Sequence, residues 1–370
     1  MGSIVAKDLS SSNVELGVGD IDGKRAEAVA KQNGSGDAFV VDLTNVEKLS
    51  EILKDYDAVV NASWYEYNLH VMRACLNARC AYNDLGGLFH MTLQQLKLNE
   101  EAKRKGVSAI VGGGESPGIT NVMCYFGAEG MSAVDSAKIL VAARDASAGV
   151  TFPFSPSTVI DEYTKNPVEF LDREYVELPP LSGDEPVTFP DPVGQNVCHY
   201  SIHSEPATLP QSLGRGIRNV EFKLGISEKM VRLLSPLIDL GMLSDNPVTI
   251  NGASISPRQF LISFFNARAA NDDDDGRTVA LRTIVKGVLS GVESVTTCDL
   301  VAEPNDSWGV PNATAYLTGV AGSIFGQILA EGKVQNGVLA PEIVVSPEEF
   351  QKELEKRKIK IEKTVSRKIH

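Results

Sequence analysis

The stretch DAVVNASWYEYNLHVMRACLNARCAYNDLGG, residues 57–87, carries the reading on which the fold turns. Residues 57–62 read as a strand, because Ala58-Val59-Val60 is a short apolar run suited to burial on both faces of a parallel sheet. Residues 69–78 follow with helical spacing, and 81–84 form another short strand. Two strands joined by a helical crossover make a βαβ unit with parallel strands. The rhythm continues outward. Upstream, strands at 14–18 and 38–41 alternate with helices at 24–32 and 46–53, the former placing Ala26, Val29 and Ala30 on one face. Downstream, a helix at 93–105 and a strand at 108–111 close the series near residue 125. The pattern predicts an α/β fold with a doubly wound parallel sheet.

Beyond residue 130 the character changes. Residues 137–143 and 216–224 read as strands, while 150–215 is rich in Pro and Gly and reads as long irregular stretches, suiting a separate domain. NDDDDG at 271–276 reads as an acidic hairpin turn between an apolar helix and a strand at 278–285, since its spacing matches no calcium loop. Residues 313–331 and 347–356 read as helices.

Composition narrows the function. The chain has 370 residues, long enough for two or three domains, with 43% hydrophobic and 22% charged residues. A net charge of -13 argues against a nucleic-acid or anionic-membrane surface. No apolar run stands out as a membrane span and no signal peptide opens the chain, so a cytoplasmic protein is expected. The five cysteines, Cys75, Cys80, Cys124, Cys198 and Cys298, form no CxxC pair, and Cys198-His199 with His203 lacks further ligands. Buried free thiols and no metal site are expected.

The chain opens as a helix from its first residue, where a Rossmann unit would first supply a strand and a G-x-G-x-x-G turn. Gly2 stands where the third glycine belongs, and the first strand and first two glycines are missing. Three readings stay open: a fragment, a sequence started at an internal methionine, or a member that has lost cofactor binding. The remainder of the unit is present. Asp20 lies 18 residues after Gly2, near the offset at which an acidic side chain takes the adenosine ribose hydroxyls. An acid here favours NAD over NADP, though Lys24 and Arg25 leave NADP open. Asp42, at the next strand end, suits the adenine edge.

Asn61-Ala62-Ser63-Trp64-Tyr65-Glu66-Tyr67-Asn68, Val71-Met72-Arg73-Ala74-Cys75, Tyr82-Asn83-Asp84-Leu85-Gly86-Gly87 and Gly114-Glu115-Ser116-Pro117-Gly118-Ile119-Thr120-Asn121 run in order along the chain. His203-Ser204-Glu205-Pro206-Ala207-Thr208-Leu209-Pro210, Asp239-Leu240-Gly241-Met242-Leu243 and the run from Thr314-Ala315-Tyr316 to Gly332 continue the series. Together these blocks resemble the saccharopine dehydrogenase (glutamate-forming) family, with its lysine 6-dehydrogenase and carboxynorspermidine dehydrogenase relatives. The resemblance implies a Rossmann-like domain over 1–125 and an α/β substrate and dimerisation domain with an open mixed sheet over 126–310. Residues 311–370 would return to the first domain. It also implies hydride transfer between NAD or NADP and a carbon bearing nitrogen, a small amine or amino-acid substrate, and a homodimer.

Residue roles follow, each beside its structural alternative. Asn61, Ala62 and Ser63 close a strand at the carboxyl edge where doubly wound sheets bind ligands, or cap the next helix. Tyr65 matches a tyrosine that saccharopine reductases carry beside the nicotinamide, and is a proton-relay candidate or a packed aromatic. Asp84 is read as orienting the nicotinamide or holding an ammonium, with Gly86 and Gly87 permitting close approach, or the three form a turn. At Ser116 the saccharopine reductases of eukaryotic lysine metabolism carry an Asp, and they carry a Cys near Ala143. Saccharopine is thereby disfavoured, and Glu115 is left as the nearest carboxylate. His203 is a proton-transfer candidate, because an unperturbed imidazole suits that role, or is a satisfied structural histidine. Ser116, Ser204 and Glu205 are substrate-binding candidates. Arg144, Arg215 and Arg218 are carboxylate-binding candidates or surface charges, the first two being preferred. The expected function is an NAD(P)-dependent oxidoreductase acting on a C–N bond. The alternatives are a non-catalytic binding protein on a degraded Rossmann domain, and oxidation of an alcohol carbon.

Overall fold

The computed structural model of the chain describes residues 1–12, 14–145, 151–269 and 276–367. The first 130 residues run α1 (Gly2–Ser10), β1 (Gly17–Asp20), α2 (Gly23–Gln32), β2 (Asp37–Val40), α3 (Val46–Leu53) and β3 (Ala58–Asn61). Then come α4 (Asn68–Ala78), β4 (Ala81–Asp84), α5 (Leu88–Leu96), α6 (Asn99–Lys105), β5 (Ser108–Ile110) and α7 (Ile119–Gly127). Local chemistry sets several starts: the Asp22 side chain accepts from Lys24 N at α2, and Asn45 from Lys48 N at α3. On α2, Ala26 and Ala30 are buried with Val29 partly so, as their spacing predicts.

The chain then builds a second sheet. Its elements are β6 (Met131–Arg144), α8 (Pro156–Thr164), β7 (Val168–Leu171), β8 (Glu174–Glu177), β9 (Glu185–Thr188) and β10 (Gln195–Tyr200). After α9 (Glu205–Leu213) come β11 (Asn219–Gly225), α10 (Glu228–Asp239), β12 (Val248–Ile250), β13 (Ala253–Ile255), α11 (Pro257–Ala269), β14 (Thr278–Leu289) and β15 (Val292–Ala302). The chain ends with α12 (Ala313–Ala330), β16 (Gly337–Leu339), α13 (Pro347–Lys356) and β17 (Glu362–Arg367).

Two compact units result. The first gathers residues 1–130, 204–215 and 315–360, so α9, α12 and α13 join the opening segment. Its strands are all parallel, in two ladders: β1–β2, and β16–β5–β4–β3. Among the described residues no ladder joins β1 to β3. Asp8 and Arg357 close the unit through a buried bidentate ion pair, Nη2 to Oδ2 at 2.6 Å. Helix α12 is long and apolar enough to cross a membrane, which the sequence reading did not pick out, but 72% of it is buried. It is a core helix. Gly326 lets it lie against β3, because a Cβ there would stand 2.7 Å from Val60 Cγ2.

The second unit, residues 131–203, 216–314 and 361–370, holds a nine-stranded mixed sheet. The order is β17–β15–β14–β6–β11–β10–β9, with β7 on β11 and β8 on β7. Only β6 and β11 pair in parallel. Opposed residues complement one another across β14 and β15, where Arg282 faces Asp299 and bonds it at 2.7 and 2.9 Å.

Several expectations shift. The strand expected at 14–18 lies at 17–20, because Gly17 and Gly19 carry no side chain to show alternation. A Cβ on Gly17 would collide with the Tyr56 hydroxyl. The helix expected at 93–105 is two, α5 and α6, broken at Lys97 and Leu98. The break frees Asn99 Oδ1 to accept from Val338 N at 3.0 Å and so fix the edge strand β16. The irregular stretch expected over 150–215 contains α8, α9 and four short strands. These strands are four to six residues long, and proline at the starts of α8 and α9 serves as a helix initiator rather than a breaker. Of the expected acidic turn, residues 271–275 lie outside the described residues.

Candidate functional site

In the first unit the loops leaving β3, β4 and β5 meet at the carboxyl edge of the parallel ladder, and Asp84 ties two of them. Its Oδ1 accepts from Gly86 N and Gly112 N, each at 2.9 Å. Its Oδ2 accepts from the Tyr82 hydroxyl at 2.9 Å and Gln95 Nε2 at 2.7 Å. Asp84 is 1% exposed, and burial lifts its carboxyl above the usual range despite the four donors. Asn61 adds the third loop: its Nδ2 donates to Asn68 Oδ1 at 2.9 Å, and Asn68 Nδ2 donates to Gly86 O at 3.1 Å. Asn61 Oδ1 accepts from Ser63 Oγ at 2.6 Å and Ser63 N at 3.2 Å. Buried Tyr65 lies edge-on to Trp64, centroids 5.7 Å apart.

The glycines of 112–118 serve the loop itself. Gly114 N donates to Pro117 O at 2.9 Å, and a Cβ on Gly114 would strike Leu85 O. This knot presents Glu115, 5% exposed, and Ser116, partly exposed. Ser116 Oγ donates to Glu205 Oε1 at 2.6 Å, and Thr120 Oγ1 donates to the same oxygen at 2.8 Å. Glu205 is fully buried at the start of α9. Beside it Ser204, 2% exposed, does not cap its own helix, and its hydroxyl has no hydrogen-bond partner. A second buried carboxyl, Glu342, accepts from Asn121 Nδ2 at 3.0 Å and Ser212 Oγ at 2.6 Å, and burial raises its pKa. These side chains hold α7 and α9 together.

Sequence reading named Glu115, Ser116, Ser204 and Glu205 separately, and the structure brings Ser116 onto Glu205. It missed Thr120, Asn121 and Glu342. Ser116 stands in the turn before α7, so helical spacing gave no signal for Thr120. Other expected residues sit elsewhere. Asp20 ends β1, its Oδ1 accepting from Asp22 N at 2.9 Å. Asp42 is exposed and accepts from Thr44 Oγ1 at 2.6 Å and Thr44 N at 2.9 Å, which holds its carboxyl below the usual range. Arg215 Nη1 donates to Ala128 O at 2.7 Å. In the second unit, His203 is 8% exposed and stacked on Phe222 at 3.8 Å. Exposed Arg144 donates to Pro192 O at 3.3 Å, and Arg218 pairs with Asp172 at 2.7 Å. The arginine that sequence reading missed there is Arg277, 8% exposed, which donates to Thr151 Oγ1 at 3.0 Å and lies 3.7 Å from Asp145. All five cysteines are buried free thiols, as expected.

The first unit fits a dinucleotide by its donor set. Asp20 ends β1 and Asp42 follows β2 by two residues, acidic groups that could hold the ribose and adenine of a dinucleotide. A Cβ on Gly2 would stand 3.3 Å from Ala62 Cβ, a tight contact, so glycine at residue 2 eases the approach of the first turn of α1 to the 61–63 loop.

Comparison with known proteins agrees. The family model of the saccharopine dehydrogenase NADP binding domain matches residues 1–110, and that of the saccharopine dehydrogenase C-terminal domain matches residues 113–359. Carboxynorspermidine synthase of Vibrio alginolyticus is 22% identical over 69% of this chain and 67% of its own. Carboxyaminopropylagmatine dehydrogenase of Synechocystis is 24% identical over 79% of this chain and 76% of its own. Apo saccharopine dehydrogenase (L-Glu forming) of Saccharomyces cerevisiae shares the fold, with a TM-score of 0.76 and 16% identity over 99% of this chain and 98% of that one.

Proposed function

This chain belongs to the saccharopine dehydrogenase family of NAD(P)-binding oxidoreductases, and from that premise we propose that it reversibly oxidises a carbon bearing nitrogen in an amino-acid-like amine. The observation that carries the reading is the junction of three strand-end loops around Asp84, with Ser116 and Glu115 at its rim. Relatives named for carboxynorspermidine and carboxyaminopropylagmatine support an amine substrate.

Asp20 would hold the adenosine ribose and Asp42 the adenine edge. Gly2, Asn61, Ala62 and Ser63 would border the pyrophosphate and nicotinamide ribose. Asp84 acts through the Gly86 and Gly112 N–H groups it holds, not by touching a ligand. When bound, the nicotinamide accepts the hydride, or returns it in the reverse direction. Oxidising CH–NH to C=N also releases a proton from nitrogen, and Glu115, Tyr65 and His203 are the groups assigned to take it. Arg144 and Arg215 each give an N–H to a main-chain carbonyl and retain a charged guanidinium for a substrate carboxylate. A homodimer in the cytoplasm completes the reading, supported there by five buried free thiols.

The test is a turnover screen of the full chain with NAD and NADP against saccharopine, carboxynorspermidine, carboxyaminopropylagmatine, lysine and diamines, followed by nicotinamide absorbance. Turnover of one amine supports the reading. Cofactor binding without any turnover overturns the substrate class, and failure to bind either cofactor points to a binding protein.

A further inference from the structure

The hydrogens around Glu205 have only one economical arrangement. Ser116 Oγ lies 2.6 Å from Glu205 Oε1, and Thr120 Oγ1 lies 2.8 Å from the same oxygen and 3.3 Å from Ser116 Oγ. Both hydroxyls donate to Glu205 Oε1, so both protons point at Glu205. Ser116 has one proton, and it is committed. Toward solvent it therefore offers lone pairs alone, with the fully buried Glu205 carboxyl behind it. Thr120 is also fully buried and has no outward face.

A second observation concerns the residue next to Glu205 in the chain. Ser204 Oγ is buried without a hydrogen-bond partner, although its residue stands at the start of α9, where serine ordinarily caps. It lies 4.0 Å from where a Cβ on Gly112 would stand, on the wall Gly112 shares with Pro117. A buried hydroxyl left unpaired carries a desolvation penalty that a ligand can relieve.

We infer that Ser116 and Ser204 form a subsite for the amine nitrogen of the substrate, and that Glu205 is its positioning residue. By locking the Ser116 proton inward, Glu205 makes the subsite accept N–H donors and repel carboxylates. Ser204, whose proton is not committed, serves as an adaptable second contact. This rests on the amine-oxidoreductase reading and adds which chain residues select the nitrogen.

The probe is 1,3-diaminopropane, with 1,3-propanediol as the matched control, titrated calorimetrically into the full chain. The unaltered chain should prefer the diamine by about tenfold or more, the scale of a charge-assisted hydrogen bond. Glu205→Gln should bring the preference to within about twofold, because a Gln amide no longer fixes the Ser116 proton. Ser116→Ala should do the same, while Ser116→Thr, which keeps the hydroxyl, should retain it. A structural role alone would lower melting temperature without changing the diamine-to-diol ratio. Should Glu205→Gln fail to fold, the partly exposed Ser116→Ala and Ser116→Thr pair decides. Equal binding of diamine and diol, or a preference that survives Glu205→Gln or Ser116→Ala, overturns the inference. If an amine is turned over but this preference is absent, the subsite falls and the oxidoreductase reading stands. If the preference is present and depends on Glu205 while nothing is turned over, the reverse holds.

Discussion

Replacing Asp84 by Ala removes the acceptor for four donors: Gly86 N, Gly112 N, the Tyr82 hydroxyl and Gln95 Nε2. Tyr82 and Gln95 are both fully buried, so their donors have little access to water. An unmet buried donor costs about 1–3 kcal/mol. Relief of the buried charge and water entering the new cavity offset part of that sum. The expected net loss is about 4 kcal/mol, which is exceptional for one substitution. Asp84→Asn is the informative partner. Its Oδ1 keeps both glycine N–H groups, and its new N–H₂ can donate to Gln95 Oε1, which has no partner in the unaltered protein. Tyr82 can then turn toward Asn68 O, already 3.4 Å away. A loss of about 1–2 kcal/mol is expected for Asn. Urea unfolding of the three proteins reads both values from midpoint and slope. A loss below about 1 kcal/mol for Ala, or a larger loss for Asn than for Ala, would refute the claim that Asp84 holds the site together.

Arg357→Ala leaves Asp8 buried without its partner and should cost about 3–5 kcal/mol by the same assay. Glu185 is pushed up by partial burial, but Lys223 and Lys138 outweigh that and hold its carboxyl below the ordinary 4.5. A depressed folded value gives stability that is present above pH 4.5 and lost as pH falls through the folded value. The gap in melting temperature between unaltered protein and Glu185→Gln should therefore stay constant above that pH and close below it. Asp20→Ser should shift the ratio of dissociation constants roughly tenfold toward NADP in fluorescence titrations, because one like charge facing a 2′-phosphate is removed.

The sequence showed the parallel βα series because 57–87 is patterned by burial on both strand faces, and the ladder β3–β4–β5 follows it closely. It misplaced β1, where glycines interrupt the apolar pattern, and it did not see β7–β10, whose strands are only four to six residues long and form two short hairpins, β7 with β8 and β9 with β10. Single residues were legible where they ended a strand, as at Asn61 and Asp84, or stood in the loop after one, as at Ser116. Their partners were not. Glu205 meets Ser116 and Thr120 only because residues 204–215 return to the first unit, and no local spacing encodes that return. Arg277 was overlooked for the same reason, since its contacts to Thr151 and Asp145 span more than a hundred residues.

The central claim concerns the atom that gives up hydride. Reduced cofactor carrying deuterium on the transferring nicotinamide carbon, supplied with the imine of the substrate found in the screen, tests it by mass spectrometry and NMR of the product. The account predicts one deuterium on the carbon that bears nitrogen. Deuterium on a carbon that bears oxygen, or none transferred by a chain that binds the cofactor, would contradict it.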